Sequence, residues 1–259
     1  MTEDISVNVA RPTEWGTASA GGLEIHELHA GYGRMEILHG INMHAPSGEV
    51  TLVLGANGSG KSTLAMAIMG AVRRYSGSIA FEGCSLHKRS TSSIANNGIA
   101  IMPEGRGLFS ELSVLENLYV ALYSQRRKIP KADRKRMVDE ALRWFPVLEL
   151  RRNSRVGALS GGQQQMVALA RAFVRQQRFV ILDEPSAGLA PKVLREVLAI
   201  VSELCRTRGI GVLLVEQSTL ALEMGIGSKI VLLAGGRIVK DVAAVEITHQ
   251  DIDDAYFRS

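Results

Sequence analysis

A glycine-rich turn between an apolar strand and a helical stretch constrains this chain more than any other feature. Residues 50–54 read VTLVL, a run typical of a strand buried on both faces. The turn GANGSGKST follows at 55–63 and matches G-x-x-x-x-G-K-[ST], with a helical pattern directly after it. A glycine turn that merely joins strand to helix is the simpler interpretation, but too many specified features coincide. We therefore interpret the segment as a phosphate-binding loop.

The residue types of this loop suit a triphosphate. Backbone N–H groups can converge on phosphate oxygens only where no side chain blocks the approach, and the helix that follows adds its positive end. Lys61 supplies a mobile charge for the β- and γ-phosphates, Ser62 a hydroxyl for Mg²⁺, and Thr63 a hydroxyl near the α-phosphate. ATP and Mg²⁺ are the predicted ligands, although kinases, GTPases and motor ATPases share the motif. The predicted nucleotide-binding residues of the loop are Gly55, Asn57, Gly58, Ser59, Gly60, Lys61, Ser62 and Thr63.

Two adjacent carboxylates end a second apolar strand, FVILDEP at 179–185. A carboxylate at the end of a buried strand is costly without a cation. Beside a phosphate-binding loop, Asp183 is predicted to hold Mg²⁺, and Glu184 to act as the general base that polarises the attacking water. The alternative is a surface turn, since Asp-Glu-Pro is also turn chemistry.

The remaining patterns predict an α/β protein. LEIHELHAGY and GINMHA alternate as antiparallel strands, residues 76–83 are typical of an edge strand and turn, and GIAIMP at 98–103 is a further strand. Ser113 and Glu116 form a capping-box pair ahead of an apolar helix. Helical spacing continues, so residues about 110–157 are predicted to be a helical insertion. A later helix is predicted to begin with Pro191 in its first turn and to end at Gly209. We expect residues 1–22 to be a flexible tail before one domain at 23–259.

Composition limits the classes of function. The net charge of +4 is too weak to argue for nucleic acid, so no nucleic-acid partner is predicted. No apolar stretch approaches the ~18 residues of a membrane span, and the first residues do not resemble a signal peptide. Cys84 and Cys205 are far apart and in no ligand spacing, which favours a reducing cytosol over a disulfide or zinc site. If the protein serves a membrane, it does so through a partner.

The run LSGGQQQ at 159–165, placed between the phosphate-binding loop and the acidic pair, resembles the signature of ABC ATPases. The resemblance extends over nearly the whole chain from Leu23. It implies a P-loop NTPase core of ABC ATPase type with an antiparallel β subdomain and an inserted helical subdomain. In this family Ser160, Gly161 and Gly162 cap a helix whose N-terminus faces the ATP held by another subunit, so two ATP molecules are sandwiched in a head-to-tail dimer.

The resemblance also implies roles for single residues outside these motifs. Tyr32 resembles the aromatic residue that stacks on adenine, although alone it would be read as a core or turn residue. SAGLAP at 186–191 resembles the loop that meets the opposite subunit, with Ala190 where the family often has Asp. Two departures stand out. Glu104 replaces the usual Gln that contacts Mg²⁺ and water, and Gln217 replaces the usual switch His, so it can donate to the γ-phosphate but cannot carry a proton.

At both positions the sequence resembles one subfamily of these ATPases. PEGR, SGGQQQM and LLVEQ resemble the LivF-like ATPases of branched-chain amino-acid importers. The resemblance implies a peripheral ATPase on the cytoplasmic face of the inner (plasma) membrane. Its implied partners are transmembrane permease subunits, a second ABC ATPase as homo- or heterodimer, and indirectly a substrate-binding protein. A urea or short-chain amide importer is the alternative, followed by a soluble ABC ATPase outside transport and a kinase with a P-loop.

Overall fold

A computed structural model describes residues 21–175 and 177–257 of the chain. Its main feature is a six-stranded sheet in the spatial order β10-β9-β3-β8-β7-β6, in which β10 is antiparallel and the other neighbours are parallel. The strands of this sheet are β3 (Val50–Leu54), β6 (Ile99–Met102), β7 (Phe179–Asp183), β8 (Gly211–Glu216), β9 (Lys229–Ala234) and β10 (Arg237–Ala243).

Both faces of the central strands are buried, which is why they read as continuous apolar runs. Side chains alternate between two cores because successive residues of a strand point to opposite faces. In β8, for example, Val212 and Leu214 join one core, whereas Leu213 and Val215 join the other. The predicted buried strand at 50–54 is confirmed.

A second, antiparallel sheet covers one of these cores. Its order is β2-β1-β4-β5, with β1 at Gly22–Tyr32, β2 at Met35–Pro46, β4 at Arg73–Phe81 and β5 at Cys84–Ser85. The antiparallel strands predicted here are confirmed. The prediction of an edge strand at 76–83 was wrong, because β4 lies between β1 and the two-residue β5. That placement depends on a tertiary pairing that no local pattern shows.

The helices pack on both faces of the large sheet. Helix α1 (Lys61–Ile68) lies on the side of the small sheet, and α2 (Thr91–Asn96) precedes β6. Between β6 and β7 the chain forms α3 (Val114–Ala121), α4 (Lys131–Arg143), α5 (Pro146–Glu149) and α6 (Gly161–Phe173). The Ser113–Glu116 capping box at the start of α3 is present as predicted. The boundaries of the helical insertion stay a prediction.

The C-terminal third adds α7 (Pro191–Arg208), α8 (Leu220–Glu223) and α9 (His249–Phe257). Helix α7 begins with Pro191 in its first turn and ends at Gly209 in the left-handed conformation, as the sequence predicted. Two short helices, α2 and α9, were not predicted. The predicted tail falls outside the described residues apart from Gly21 and Gly22. Within the described part of the chain, no helix is long and apolar enough to span a membrane.

Candidate active site

The candidate site lies where the carboxyl ends of neighbouring parallel strands meet, the usual position for ligands in such sheets. Strand β3 leads into the glycine-rich loop, β7 ends at Asp183, and β8 ends at Glu216. Strand β6 leads into the Pro103–Glu104 turn at the same edge. Segments far apart in sequence therefore converge on one edge of the sheet.

The glycine-rich loop needs its glycines. A Cβ on Gly55 would lie 2.2 Å from the carbonyl oxygen of Leu233 and 2.7 Å from Oγ of Ser59. Gly58 and Gly60 have φ of 80° and 104°, a region that favours glycine. Gly60 caps α1 without a side-chain hydrogen bond, so the first N–H groups of this helix are available to a ligand. This backbone fits the phosphate cradle that the sequence predicted.

Lys61 is buried, with 4% of its surface exposed. Its Nζ donates to the carbonyl oxygens of Gly55 and Ala56, at 3.0 Å each, and lies 3.5 Å from Oε1 of Glu184. The cation therefore sits between the loop and the acidic pair. A buried ammonium held mainly by neutral carbonyls is well placed to exchange them for anionic phosphate oxygens, because charged partners make stronger hydrogen bonds.

Ser62 and Asp183 come together across the site: the serine Oγ donates to Oδ1 of Asp183 at 3.2 Å. Burial raises the pKa of Asp183 to about 6, since desolvation outweighs the hydrogen bond from Ser62, and Glu184 and Glu104 add repulsion. The second oxygen of Asp183 is buried and has no hydrogen-bond partner among the described residues. A costly, half-satisfied carboxylate beside a serine hydroxyl fits a magnesium site.

Few of the described side chains are placed to bind a metal ion beside Ser62 and Asp183. Among the described residues, no group of three or more His, Cys, Asp or Glu side chains could hold a metal ion by themselves. A serine, one carboxylate and substrate phosphates are nevertheless a normal set for Mg²⁺, which keeps several waters and is rarely held in an all-protein cage.

Glu184 adopts φ of 48°, unusual for a residue with a side chain. Its N–H donates to the carbonyl oxygen of Val215 at 2.9 Å, which attaches this residue to β8. The side chain is 18% exposed and faces Lys61. Backbone strain of this kind often accompanies a functional site.

Glu216, which the sequence analysis did not single out, connects two loops of the site. Its carboxylate accepts from the N–H of Ser186 at 3.0 Å and from the Ser186 hydroxyl at 2.5 Å. Desolvation raises the pKa of Glu216 from 4.5 to about 7, despite these lowering hydrogen bonds. The only sequence signal was its place beside Gln217 at the end of an apolar strand.

We expect Glu216→Gln to change the pH dependence of stability. Because the folded-state pKa is raised, the wild-type protein loses stability as pH rises from 4.5 to about 7. The loss amounts to on the order of 3–4 kcal/mol, since one pKa unit is about 1.4 kcal/mol. Glutamine stays neutral and can keep both contacts to Ser186, so the variant should be the more stable protein at pH 8.

The measurement is the unfolding free energy of both proteins between pH 5 and pH 8. Asp183 titrates in the same window in both proteins, so the difference between them isolates Glu216. The advantage of the variant should shrink towards pH 5. A difference that does not change with pH would contradict the assignment.

Three further predicted residues border the site. Glu104 is exposed and close enough to raise the pKa of Asp183. Gln217 is exposed directly after β8, and its carbonyl oxygen accepts from the Tyr256 hydroxyl at 2.6 Å. Tyr32, 53% exposed, ends β1 opposite Met35. An exposed ring is free to stack on a base, and adenine stacking by Tyr32 stays a prediction.

The LSGGQ segment is built differently from the loop. Ser160 is exposed and caps α6 in a capping box with Gln163. Arg106, from the turn after β6, donates at 2.8 Å to the side chains of both Gln164 and Gln165. The turn that carries Glu104 is thereby tied to the start of α6. Arg106 belongs to the PEGR run, and no local pattern in the sequence predicts this contact.

Among the described residues, this segment is not bonded to the phosphate-binding loop of the same chain. In the part of the chain that the structure describes, no hydrogen bond or ion pair joins residues 160–162 to residues 55–63. The exposed helix end at Ser160 is thus available to another molecule.

The loop, acidic pair and LSGGQ helix on this fold define an ATPase of the ABC class. The family model for ABC transporters matches residues 38–187, more than half of the chain, and the chain belongs to this family. It binds and hydrolyses ATP.

Relatives and solved structures agree with this class. Over 235 residues the chain is 37% identical to the high-affinity branched-chain amino acid transport ATP-binding protein BraG of Pseudomonas aeruginosa, covering 90% of this chain and 98% of BraG. It is 34% identical to a probable branched-chain amino acid transport ATP-binding protein, LivF of Archaeoglobus fulgidus, over 68% of this chain and 73% of that protein. The structure of cbiO1 from Clostridium perfringens, part of the ABC transporter complex cbiONQ, superposes with a TM-score of 0.78 at 26% identity, covering 93% and 97% of the two chains.

Proposed function

We propose that this chain is the ATPase subunit of an importer for branched-chain amino acids. The observation that supports the catalytic part is the contact of Ser62 with Asp183 beside the Lys61–Glu184 pair. The cargo is proposed from the 37% identity to BraG along nearly the whole of both chains.

Binding of ATP begins at the glycine-rich loop. Its N–H groups and the start of α1 hold the phosphates, Lys61 exchanges its two carbonyl partners for β- and γ-phosphate oxygens, and Tyr32 stacks on adenine. Ser62 and Asp183 would hold Mg²⁺, with Glu104 nearby. When bound, Mg²⁺ neutralises charge on the phosphate oxygens.

Hydrolysis is assigned to the residues that follow β7 and β8. Glu184, held to Val215 through its N–H, accepts a proton from the attacking water as general base. Gln217 donates a hydrogen bond to the γ-phosphate without transferring a proton. Lys61 stabilises the negative charge of the transferred group.

The working unit requires a second ATPase. The Ser160 end of α6 is exposed and its free N–H groups suit a γ-phosphate, which supports a head-to-tail dimer in which each copy completes the site of its neighbour. ATP closes this dimer because it binds the closed state better than the open one.

Transport requires membrane partners, and we propose that the chain binds permease subunits at the cytoplasmic face of the membrane. A cleft of about 450 Å³ lies between the turn that carries Glu104 and the residues before α6. Arg106 crosses from this turn to Gln164, so a permease segment in the cleft would also contact the LSGGQ helix. Closure of the dimer would thus move the permeases.

Uptake by cells tests the cargo. Deletion of this gene should abolish high-affinity uptake of labelled leucine, and the intact gene should restore it, whereas a Glu184→Gln copy should not. Unchanged leucine uptake together with lost uptake of urea or a short-chain amide would replace the cargo and leave the ATPase assignment intact. Unchanged uptake of all three would contradict the importer assignment.

A further inference from the structure

Three consecutive residues, two at the end of β8 and one directly after it, each make a hydrogen bond to a different segment around the site. The carbonyl oxygen of Val215 holds the N–H of Glu184, and the carboxylate of Glu216 holds Ser186. The carbonyl oxygen of Gln217 is held in turn by the hydroxyl of Tyr256 at 2.6 Å. The last of these contacts comes from α9, a helix that none of the site motifs includes.

Tyr256 also reaches the start of the phosphate-binding loop. The backbone N–H of Gly55 is close enough to its phenol to lower the pKa of Tyr256, and Glu216 and Glu184 are close enough to act on it electrostatically. One hydroxyl therefore connects the first residue of the glycine-rich loop with the residue at the switch position. Burial raises the pKa of Tyr256 to about 12, so the phenol stays neutral and keeps its proton for Gln217.

Helix α9 is anchored firmly enough to hold this hydroxyl. At its beginning, Asp251 accepts hydrogen bonds from Thr248 and pairs with Lys240 of β10 at 2.9 Å. Towards its end, Ala255 is 1% exposed and belongs to the core beneath the sheet, and the ring of Tyr256 packs against that core. The phenol is thus presented from a fixed element, whereas Gln217 lies in an exposed loop.

We propose that Tyr256 is a positioning residue for ATP hydrolysis, which fixes the Gln217 loop relative to the phosphate-binding loop. The inference rests on the proposed contact of Gln217 with the γ-phosphate. Gly55 is held independently, because its backbone packs so closely against the carbonyl of Leu233 that a Cβ would have no room. Among the described residues, Gln217 has one further contact, from its backbone N–H to the carboxylate of the adjacent Glu216, so the phenol is its link to a separate helix and loss of the phenol acts on the reaction more than on ATP binding.

The test is Tyr256→Phe, which keeps the ring and removes only the hydroxyl. In the full-length chain we expect kcat for phosphate release to fall about 3- to 10-fold, with KM for ATP changed less than about twofold and an unchanged unfolding midpoint, as loss of a transition-state interaction requires. Tyr123→Phe is the matched control, since Tyr123 is 59% exposed on the helical segment and far from these contacts in the chain. A purely structural ring would leave kcat of Tyr256→Phe at the wild-type value and overturn the proposal.

A double-mutant cycle with Gln217→Ala gives the second measurement. If the phenol acts by placing Gln217, Tyr256→Phe should lower kcat little further in a Gln217→Ala protein. Additive losses would overturn the proposal while leaving the role of Gln217 intact. A Gln217→Ala protein with wild-type kcat would remove the proposed role of Gln217, and this inference with it.

Discussion

Glu184→Gln should lower the rate of ATP hydrolysis by about 10²–10⁴-fold, the contribution expected of a general base. Glutamine matches glutamate in shape, so the N–H bond to Val215 and the unusual backbone at this position should persist. What disappears is the oxygen that can accept a proton from water. Phosphate release by the full-length chain at saturating ATP and Mg²⁺ measures the loss.

ATP binding should survive the same substitution. The Glu184 carboxylate lies 3.5 Å from Nζ of Lys61. Its neutralisation removes a competitor for the lysine charge, so the contact of Lys61 with the phosphates should not become weaker. The variant should therefore bind ATP at least as tightly as the wild-type protein. Glu246→Gln, an exposed glutamate before α9, is the control for the charge change. Hydrolysis at the wild-type rate by Glu184→Gln would exclude the general-base role.

Lys61→Ala should weaken ATP binding by about 10- to 100-fold or more. A hydrogen bond to a charged group contributes about 1.5–3 kcal/mol, and each 1.4 kcal/mol is tenfold in affinity. Lys61 makes two such bonds at present, to Gly55 and Ala56, and we expect both to be exchanged for phosphate oxygens. Titration with a fluorescent ATP analogue checks the affinity.

Removal of the buried Lys61 also leaves its neighbours without their hydrogen-bond donor and cation. Glu184 loses its nearest cation, and the two loop carbonyls lose their donor. Lys61→Met, which preserves the length of the side chain, separates lost packing from lost charge. Lys128→Ala removes an exposed charge instead and should leave affinity unchanged. If Lys61→Met binds ATP like the wild-type protein, the lysine has no role in holding phosphate.

Sequence reasoning recovered the parts of this molecule that local chemistry determines. Continuous apolar runs predicted the buried central strands, Ser113 and Glu116 predicted a helix start, and Gly209 predicted a helix end. The phosphate-binding loop and the pair Asp183–Glu184 were predicted together, and the structure places Ser62 against Asp183. Each of these depends on residue type and short spacing alone.

The missed features depend on tertiary contacts. Among the described side chains of helix α9 only Ala255 is buried, and the sequence HQDIDDAYF shows no strong apolar face. Helix α2 is only six residues long. The bonds of Glu216 to Ser186 and of Tyr256 to Gln217 join segments 30 and 39 residues apart, and no local pattern predicts them.

The most direct test of the central claim concerns the exposed helix end at Ser160. If one subunit's Ser160 holds the ATP bound by Lys61 of another, Ser160→Arg should block closure of the two copies around the nucleotide. In the transporter assembled with its permeases, hydrolysis should fall about tenfold or more, as when a charge-stabilising donor is removed. ATP binding by the isolated chain should stay unchanged, and Ser124→Arg, at another exposed serine, should have no effect. Full hydrolysis by the assembled Ser160→Arg transporter would contradict the account.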